Sequence, residues 1–383
     1  MARLRLCFIV ESGTDVRMVE GLAEHFELSV LARRIEGGVE ISHPPRMNVP
    51  LVVGPAGRLR FARLVWRELR QRRESLDAVL VQGYGLAALA ANLASRGTGT
   101  ATRMLVCSPV EAYYRCRREH AEPGKPFRRR ELWGIQRVAR MNAWLGGGHI
   151  VLSKYLTEVV REHGAKNTEV IPVYGVDTSL FKPSTEDKRT LKEQRGLPTN
   201  GKLIFFSSRI APEKDSEILL EAVRTLTNQG RDLWILHRSG GYRHFLEQGK
   251  QYGLERRMIA TDAVHPHQEL PLDYQAADIC VQASREEGLG FSPLEALASG
   301  VPVVAAAVGG LRETVVDGET GWTYPRGDAP ALAGCLEAVV NDPQEATRRA
   351  ENGRKMVAAT YDRRLVFERL AAYLHATCQS DSG

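Results

Sequence analysis

The sequence predicts an α/β protein made of two doubly wound domains that face a cleft. Three observations carry this. Short apolar runs of strand length alternate with helical periodicities through the first half. A polar, proline-broken stretch from Gly175 to Gly201 then interrupts the pattern, and after it the same alternation restarts. At 383 residues the chain is also longer than one core usually supports.

In chain order, LRLCFIV reads as the first strand, and the helix after ESGTD places Val16, Val19, Leu22, Ala23 and Phe26 on one face. FELSVLA, LDAVLVQ, TRMLVCS, HIVLS and TEVIPV follow as strands with helical stretches between them. Residues 1–175 are therefore expected as one domain, with Gly175 to Gly201 as a linker. KLIFFSS, DLWILH, MIATDA, DICVQAS and VPVVAA carry a second βα series over residues 176–361. The last helix, within residues 362–383, has Leu365, Phe367, Leu370, Tyr373 and Leu374 as an apolar stripe, and is expected to pack back on the first domain. Two such domains in tandem, each with crevices at the carboxyl ends of its strands, imply a cleft.

Composition excludes several classes. No segment reaches the ~20 consecutive apolar residues of a membrane helix, and LCFIV is too short for a signal-peptide core, so a cytoplasmic protein is expected. The six cysteines are scattered without a C-x-x-C pair. The net charge of +6 is concentrated: from Arg115 to Arg140 there are nine Arg or Lys residues against three Glu. With Tyr113, Tyr114, Phe127 and Trp133 in or beside it, this segment suits an anionic membrane surface or an anionic acceptor, or is simply a solvated face.

Chemistry is densest in EEGLGFSPLEALASG, Glu286 to Gly300, where Glu287 and Glu295 stand eight positions apart across a glycine-containing loop. A strand precedes this loop and a helix opened by Pro293 follows it. Ser292 and Glu295 also spell a capping box, so Glu295 is either a helix cap or a ligand contact. The loop from Gly288 through Leu289, Gly290 and Phe291 to Ser292 can present backbone N–H groups, with the positive end of the helix dipole behind it.

These stretches, together with SSRIAPEKD, VGGLRETVVDGETGWTYPRGD and VIPVYGVDTSLF, resemble the retaining glycosyltransferases of GT-B fold, specifically glycosyltransferase family 4, most densely from Phe205 to Asp328. The resemblance implies two Rossmann-like domains and a nucleotide-diphosphate sugar as donor, bound mainly by the second. It implies that Arg209 and Lys214 are the paired cations on the leaving diphosphate. Glu287 would hold donor-sugar hydroxyls, Glu295 the ribose hydroxyls, and the Gly288 to Ser292 loop the diphosphate. Glu286 lacks the spacing and is assigned to solvent.

The sequence departs from the family at several places. Gly13 stands alone where a glycine pair is usual against the phosphates. VCSPVEAYY replaces a stretch with histidine near the sugar, leaving Ser108 or Glu111 as substitutes, and Tyr174 replaces an asparagine. The resemblance further implies retention of anomeric configuration and a hydroxyl acceptor of glycan, lipid or small-molecule class. No D-x-D occurs, so neither metal nor cofactor is expected, nor a nucleic-acid partner. Two other functions compete. GYGLAA, from Gly83 to Ala88, matches a dinucleotide fingerprint, although the next strand ends in serine where an acidic residue is wanted. A non-catalytic protein binding through the basic segment is the other.

Overall fold

The computed structural model describes residues 3–35, 38–39, 41–42, 47–121, 129–262 and 268–380. The chain divides into two compact units, one of Met1–Glu111, Arg128–Gly175 and Arg363–Gly383, the other of Ala112–Phe127 and Val176–Asp362. The sequence places residues 112–127 in the first domain; in the structure the described ones, 112–121, group with the second unit.

The first unit runs β1 (Arg5–Val10), α1 (Val16–His25), β2 (Glu27–Ile35), β3 (Gly38–Val39), β4 (Leu51–Gly54), α2 (Arg58–Gln71), β5 (Ala78–Gln82), α3 (Leu86–Ser95) and β6 (Ala101–Val106). α4 (Val110–Ala121) follows, and the division falls within it, after Glu111. α5 (Arg129–Leu145), β7 (His149–Val151), α6 (Lys154–Glu162) and β8 (Thr168–Val170) complete the unit's main body. Its eight-stranded sheet has the order β3-β2-β1-β5-β6-β7-β8, with β4 also on β2, and every pairing is parallel except β2 with β3. β5 and β6 are buried throughout, as strands covered on both faces by helices must be.

The second unit runs α7 (Lys188–Gln194), β9 (Lys202–Phe205), α8 (Ser216–Asn228), β10 (Leu233–Arg238), α9 (Tyr242–Gln251), β11 (Met258–Thr261), α10 (Leu270–Ala276) and β12 (Ile279–Gln282). It continues with α11 (Phe291–Ala298), β13 (Val303–Ala306), α12 (Leu311–Thr314), β14 (Trp322–Tyr324), α13 (Ala329–Asn341) and α14 (Pro343–Thr360). Its six strands are all parallel in the order β11-β10-β9-β12-β13-β14. Chain direction across the sheet therefore reverses between β9 and β12, which pair at Ile204 with Ile279 and Phe205 with Cys280. A crevice opens at such a switch point, beyond the carboxyl ends of the strands.

The stretch expected as a linker is built into the second unit. α7 is held by Lys188 Nζ on the Ala277 carbonyl at 2.6 Å, Lys192 on Asp278 at 2.5 Å and Arg195 on Asp273 at 2.6 Å. Its polarity in sequence is that of long side chains whose charges have partners about 80 residues away.

α15 (Arg363–Ser380) lies against α1 in the first unit. Val366, Phe367, Leu370 and Leu374 are fully buried, whereas Leu365, expected in that stripe, is exposed. The two helices meet at Gly21, where a Cβ would fall 2.2 Å from the Phe367 ring. Gly21→Ala is expected to cost about 1–3 kcal/mol through overpacking, in excess of the ~1 kcal/mol gained in helix propensity. In a Phe367→Ala background the sign should reverse, leaving only the propensity gain. Chemical denaturation of the four proteins of that cycle checks this, and an equal penalty in both backgrounds would overturn the contact.

Candidate active site

The site is built on the two loops that leave the switch point. After β9 the chain passes Ser207, Ser208 and the exposed Arg209, then forms a single 3₁₀ turn over Pro212–Lys214. Asp215 follows at a φ of 50°, a left-handed conformation that aspartate tolerates, and its carboxylate is held by Arg285 at 2.9 Å. This reversal brings Lys214 back over the sheet.

The second loop leaves β12 at Gln282. Glu287 there accepts a short hydrogen bond from Lys214 Nζ, and both side chains are only 12% exposed. The same carboxylate oxygen accepts from Gln282 Nε2 and Ser284 Oγ, each at 3.2 Å, while the other oxygen accepts from the Tyr113 hydroxyl at 3.2 Å. Gln282 is itself fixed, accepting from Ser208 Oγ at 3.0 Å and donating to Ser284 Oγ at 2.7 Å. Burial, and then the charge of Glu287, push the Tyr113 phenol well above its ordinary range, so it donates as a neutral hydroxyl.

Glu295 lies in the second turn of α11, nearly inaccessible, and accepts from the Tyr274 hydroxyl at 2.9 Å. That hydroxyl is 3.0 Å from Ser207 Oγ, and burial, with the Glu295 charge second, raises the Tyr274 phenol well above its usual value. The capping box is not formed. α11 starts at Phe291, its N-cap is Gly290 with no side-chain hydrogen bond, and Ser292 and Pro293 are its second and third residues rather than cap and first residue. Gly290 has a φ of 97°, and a Cβ there would sit 2.4 Å from Leu311, so both backbone and packing require glycine. Gly288 and Leu289 are buried under Gly310, whose N–H donates to the Glu287 carbonyl at 3.0 Å.

Glu286, assigned to solvent, instead pairs with Arg326 at 3.2 Å. Arg209 has no hydrogen bond or ion pair among the described residues, and its guanidinium is open to a ligand. No three His, Cys, Asp or Glu side chains among the described residues converge as a metal-ligand set would.

Sequence reasoning missed Tyr113, Arg117, Gln282 and Tyr274. Gln282 was the most legible of them, a polar residue closing an apolar strand beside a motif. Tyr113 and Arg117, one turn apart on α4, reach Glu287 and Glu213, a pairing no local pattern announces.

The other predicted residues belong to the first unit. The Gly13 carbonyl accepts from Gln82 Nε2 at 2.8 Å beyond the end of β1. Ser108 is half-buried after β6. Glu111 accepts from Gln136 at 2.9 Å and pairs with His163 at 2.8 Å. Tyr174 adopts a φ of 81°, which suits asparagine better, and its buried hydroxyl lies 3.2 Å from Thr14 Oγ1. In GYGLAA the amide of Ala87 donates to Glu11 Oε2 at 3.1 Å, and a Cβ on Gly85 would lie 2.7 Å from that oxygen. A carboxylate of the chain itself thus occupies the helix N-terminus where a dinucleotide pyrophosphate would have to sit.

Residues 187–356 match the family described as glycosyl transferases group 1. The D-inositol 3-phosphate glycosyltransferase of Corynebacterium diphtheriae is 34% identical over 196 residues, 48% of this chain and 45% of that protein. A GDP-mannose-dependent α-(1-6)-phosphatidylinositol monomannoside mannosyltransferase of Mycolicibacterium smegmatis is 31% identical over 209 residues, 52% and 54% of the two chains. The chain spans about half the length of the curated relatives it matches. In fold it is similar to sucrose-phosphate synthase from Thermosynechococcus elongatus, with a TM-score of 0.79 at 20% identity over 99% of this chain and 100% of that one. Two Rossmann-like units of this kind make the fold GT-B.

Within the matching stretch, Glu213 is fully buried and holds Arg117 through both oxygens at 3.1 and 2.6 Å. Burial alone would push its carboxyl up, but the hydrogen bond and charge of Arg117, with the Glu213 backbone and Lys214, outweigh that and hold it below its ordinary value. A carboxyl lowered in this way adds stability that is present above its unfolded pKa and lost as pH falls through the folded one. Arg117→Ala leaves burial dominant and inverts the sign, so that stability falls as pH rises above the ordinary value of 4.5. At pH 7 the loss should be about 3 kcal/mol or less, the low end for breaking a buried pair, because Arg117 is half exposed. Urea unfolding at pH 5 and pH 7 checks this: the gap from wild type should widen with pH, and a constant gap would refute the account.

Proposed function

We propose that the chain is a retaining, metal-independent glycosyltransferase that moves a sugar from a UDP- or GDP-sugar to a hydroxyl acceptor. The observation that carries this is the Lys214–Glu287 pair at the switch point of a group 1 domain. An ammonium has three N–H groups, so Lys214 can keep Glu287 and still donate to a phosphate oxygen. Arg209, on the same loop and open, supplies the second cation. Together they meet the charge that grows on the diphosphate as the glycosidic bond breaks, a task otherwise given to a metal.

Glu287 takes hydroxyls of the donor sugar, the Tyr113 hydroxyl being the contact that a sugar hydroxyl would replace. Glu295 takes ribose hydroxyls, and the Gly288 to Ser292 loop faces the diphosphate. Bond formation from the acceptor oxygen to the anomeric carbon occurs on the face from which the diphosphate departs. The acceptor's proton passes to a leaving phosphate oxygen, which balances the step and retains configuration. In the first unit Gly13 and Ser108 keep their assignments to the donor and acceptor sides, whereas the two partners of Glu111 favour a structural part for it.

The acceptor is a hydroxyl of a glycan, lipid or small molecule; the two relatives' names specify an inositol phosphate and a phosphatidylinositol mannoside for those proteins. None of the six cysteines is in a disulfide, which supports a reducing, cytoplasmic setting. Among the described residues no helix is long and apolar enough to cross a membrane.

Arg209→Ala and Lys214→Ala should lower turnover more than they weaken donor binding, because diphosphate charge is larger in the transition state. A lost charge-assisted hydrogen bond is worth ~1.5–3 kcal/mol, or roughly a tenfold to 150-fold loss of kcat for each. Glu295→Gln should mainly raise the donor KM, since ribose hydroxyls do not change charge during reaction. Turnover, donor KM and product anomer are measured for folded variants, with and without chelator. Wild-type turnover in both cation variants would remove the diphosphate site, and an inverted anomer would remove retention.

A further inference from the structure

The outer surface of the first unit's helical layer has a composition that glycosyl transfer does not require. α5 exposes Trp133, Arg137, Arg140, Met141 and Trp144, and at ~100° per residue these fall within about 100° of one another on the helix. Arg129 and Arg130 extend the same face toward its start, while Leu132, Ala139 and Asn142 are buried on the opposite side. Trp144 is 78% and Trp133 60% exposed, the latter carrying the Arg137 guanidinium over its ring at 5.0 Å.

α3 lies between α5 and α2 and touches both. It adds the exposed Leu93, and α2 adds Leu59 and Trp66, which are 66% and 47% exposed, among five exposed arginines. The exposed positions of these three helices carry no Asp or Glu. Lys125, Phe127 and Arg128 of the basic segment lie outside the described residues, and Tyr113 and Arg117 are engaged with Glu287 and Glu213. The surface is therefore not the Arg115 to Arg140 segment as a whole but one face of α5 continued across α3 and α2.

We propose that this face docks on an anionic lipid bilayer, Trp66, Trp133 and Trp144 entering the interfacial zone and the arginines meeting lipid phosphates. Tryptophan at the interface and arginine at the headgroups is the combination such a surface rewards. A nucleic acid would match the arginines but not the exposed Leu59, Leu93 and Met141. A second copy meeting the same face about a two-fold axis would bring arginines against arginines. The inference does not rest on glycosyl transfer, since none of these side chains is assigned to the donor.

The test uses the full chain with vesicles of phosphatidylglycerol and phosphatidylcholine, against phosphatidylcholine alone. The protein should sediment with the anionic vesicles only, less so in high salt, with a blue shift of tryptophan emission. At about 1 kcal/mol for each basic residue at an anionic surface, Arg137→Ala with Arg140→Ala should weaken binding roughly thirtyfold. Trp133→Phe with Trp144→Phe should abolish most of the blue shift. Both double variants should keep donor-induced thermal stabilisation, a separate readout of the donor site. Absence of vesicle binding, equal binding to neutral vesicles, unchanged binding of the arginine variant, or a vesicle-free dimer that these substitutions dissociate would each overturn the proposal.

Discussion

The ion pair between Lys214 and Glu287 is the constraint around which the second unit's working edge is arranged. A parallel sheet delivers two loops to its switch point but does not orient them; each could bend away. Here one loop ends in an ammonium and the other in a carboxylate, both largely out of water, and neither charge is tolerable there without the other. Gln282 and Ser284 share one oxygen of Glu287 with Lys214 and Tyr113 takes the other, so the carboxylate has one defined orientation. The left-handed Asp215 and the glycine at 290 serve this arrangement by turning each loop back over the strand ends.

The two glutamates of the motif are held in different ways. Glu295 has a neutral phenol as partner and is fixed from behind by Ser207 through Tyr274. Glu287 has a cation as partner, and that cation is the one assigned to the diphosphate. A change of charge on a bound phosphate would therefore be felt at Glu287 through Lys214 and hardly at all at Glu295. In the proposed donor site this would link the grip on the sugar to the grip on the leaving group and leave the grip on the nucleoside apart.

Much of this was legible in the sequence because buried parallel strands are near-continuous apolar runs that survive as local signals. Eleven such runs correspond to strands; β3 and β4, largely exposed, and the three-residue β14 carry no such run. The Glu287–Glu295 spacing was legible for the same local reason. What escaped was set by contacts distant in sequence. α7 looked like a linker because its lysines and arginine find carboxylates and a carbonyl about 80 residues on. The capping box was a correct local pattern overridden by the φ of Gly290 and the burial of Glu295 against Tyr274. Glu286 looked free because Arg326, its partner, is 40 residues away.

The basic run shows how periodicity divides a single composition between two tasks. On α4, Tyr113 and Arg117 stand one turn apart and point at acidic residues of the second unit, where the Arg117 guanidinium helps hold the buried Glu213 carboxyl below its ordinary value. On α5, residues of the same kinds recur at spacings of three, four and seven and point to solvent. Net charge and aromatic content alone make the two helices equivalent. Their difference lies in what faces each side chain: a buried carboxylate defines a structural use, whereas an exposed Trp–Arg face retains a favourable free energy of contact for an anionic surface outside the chain.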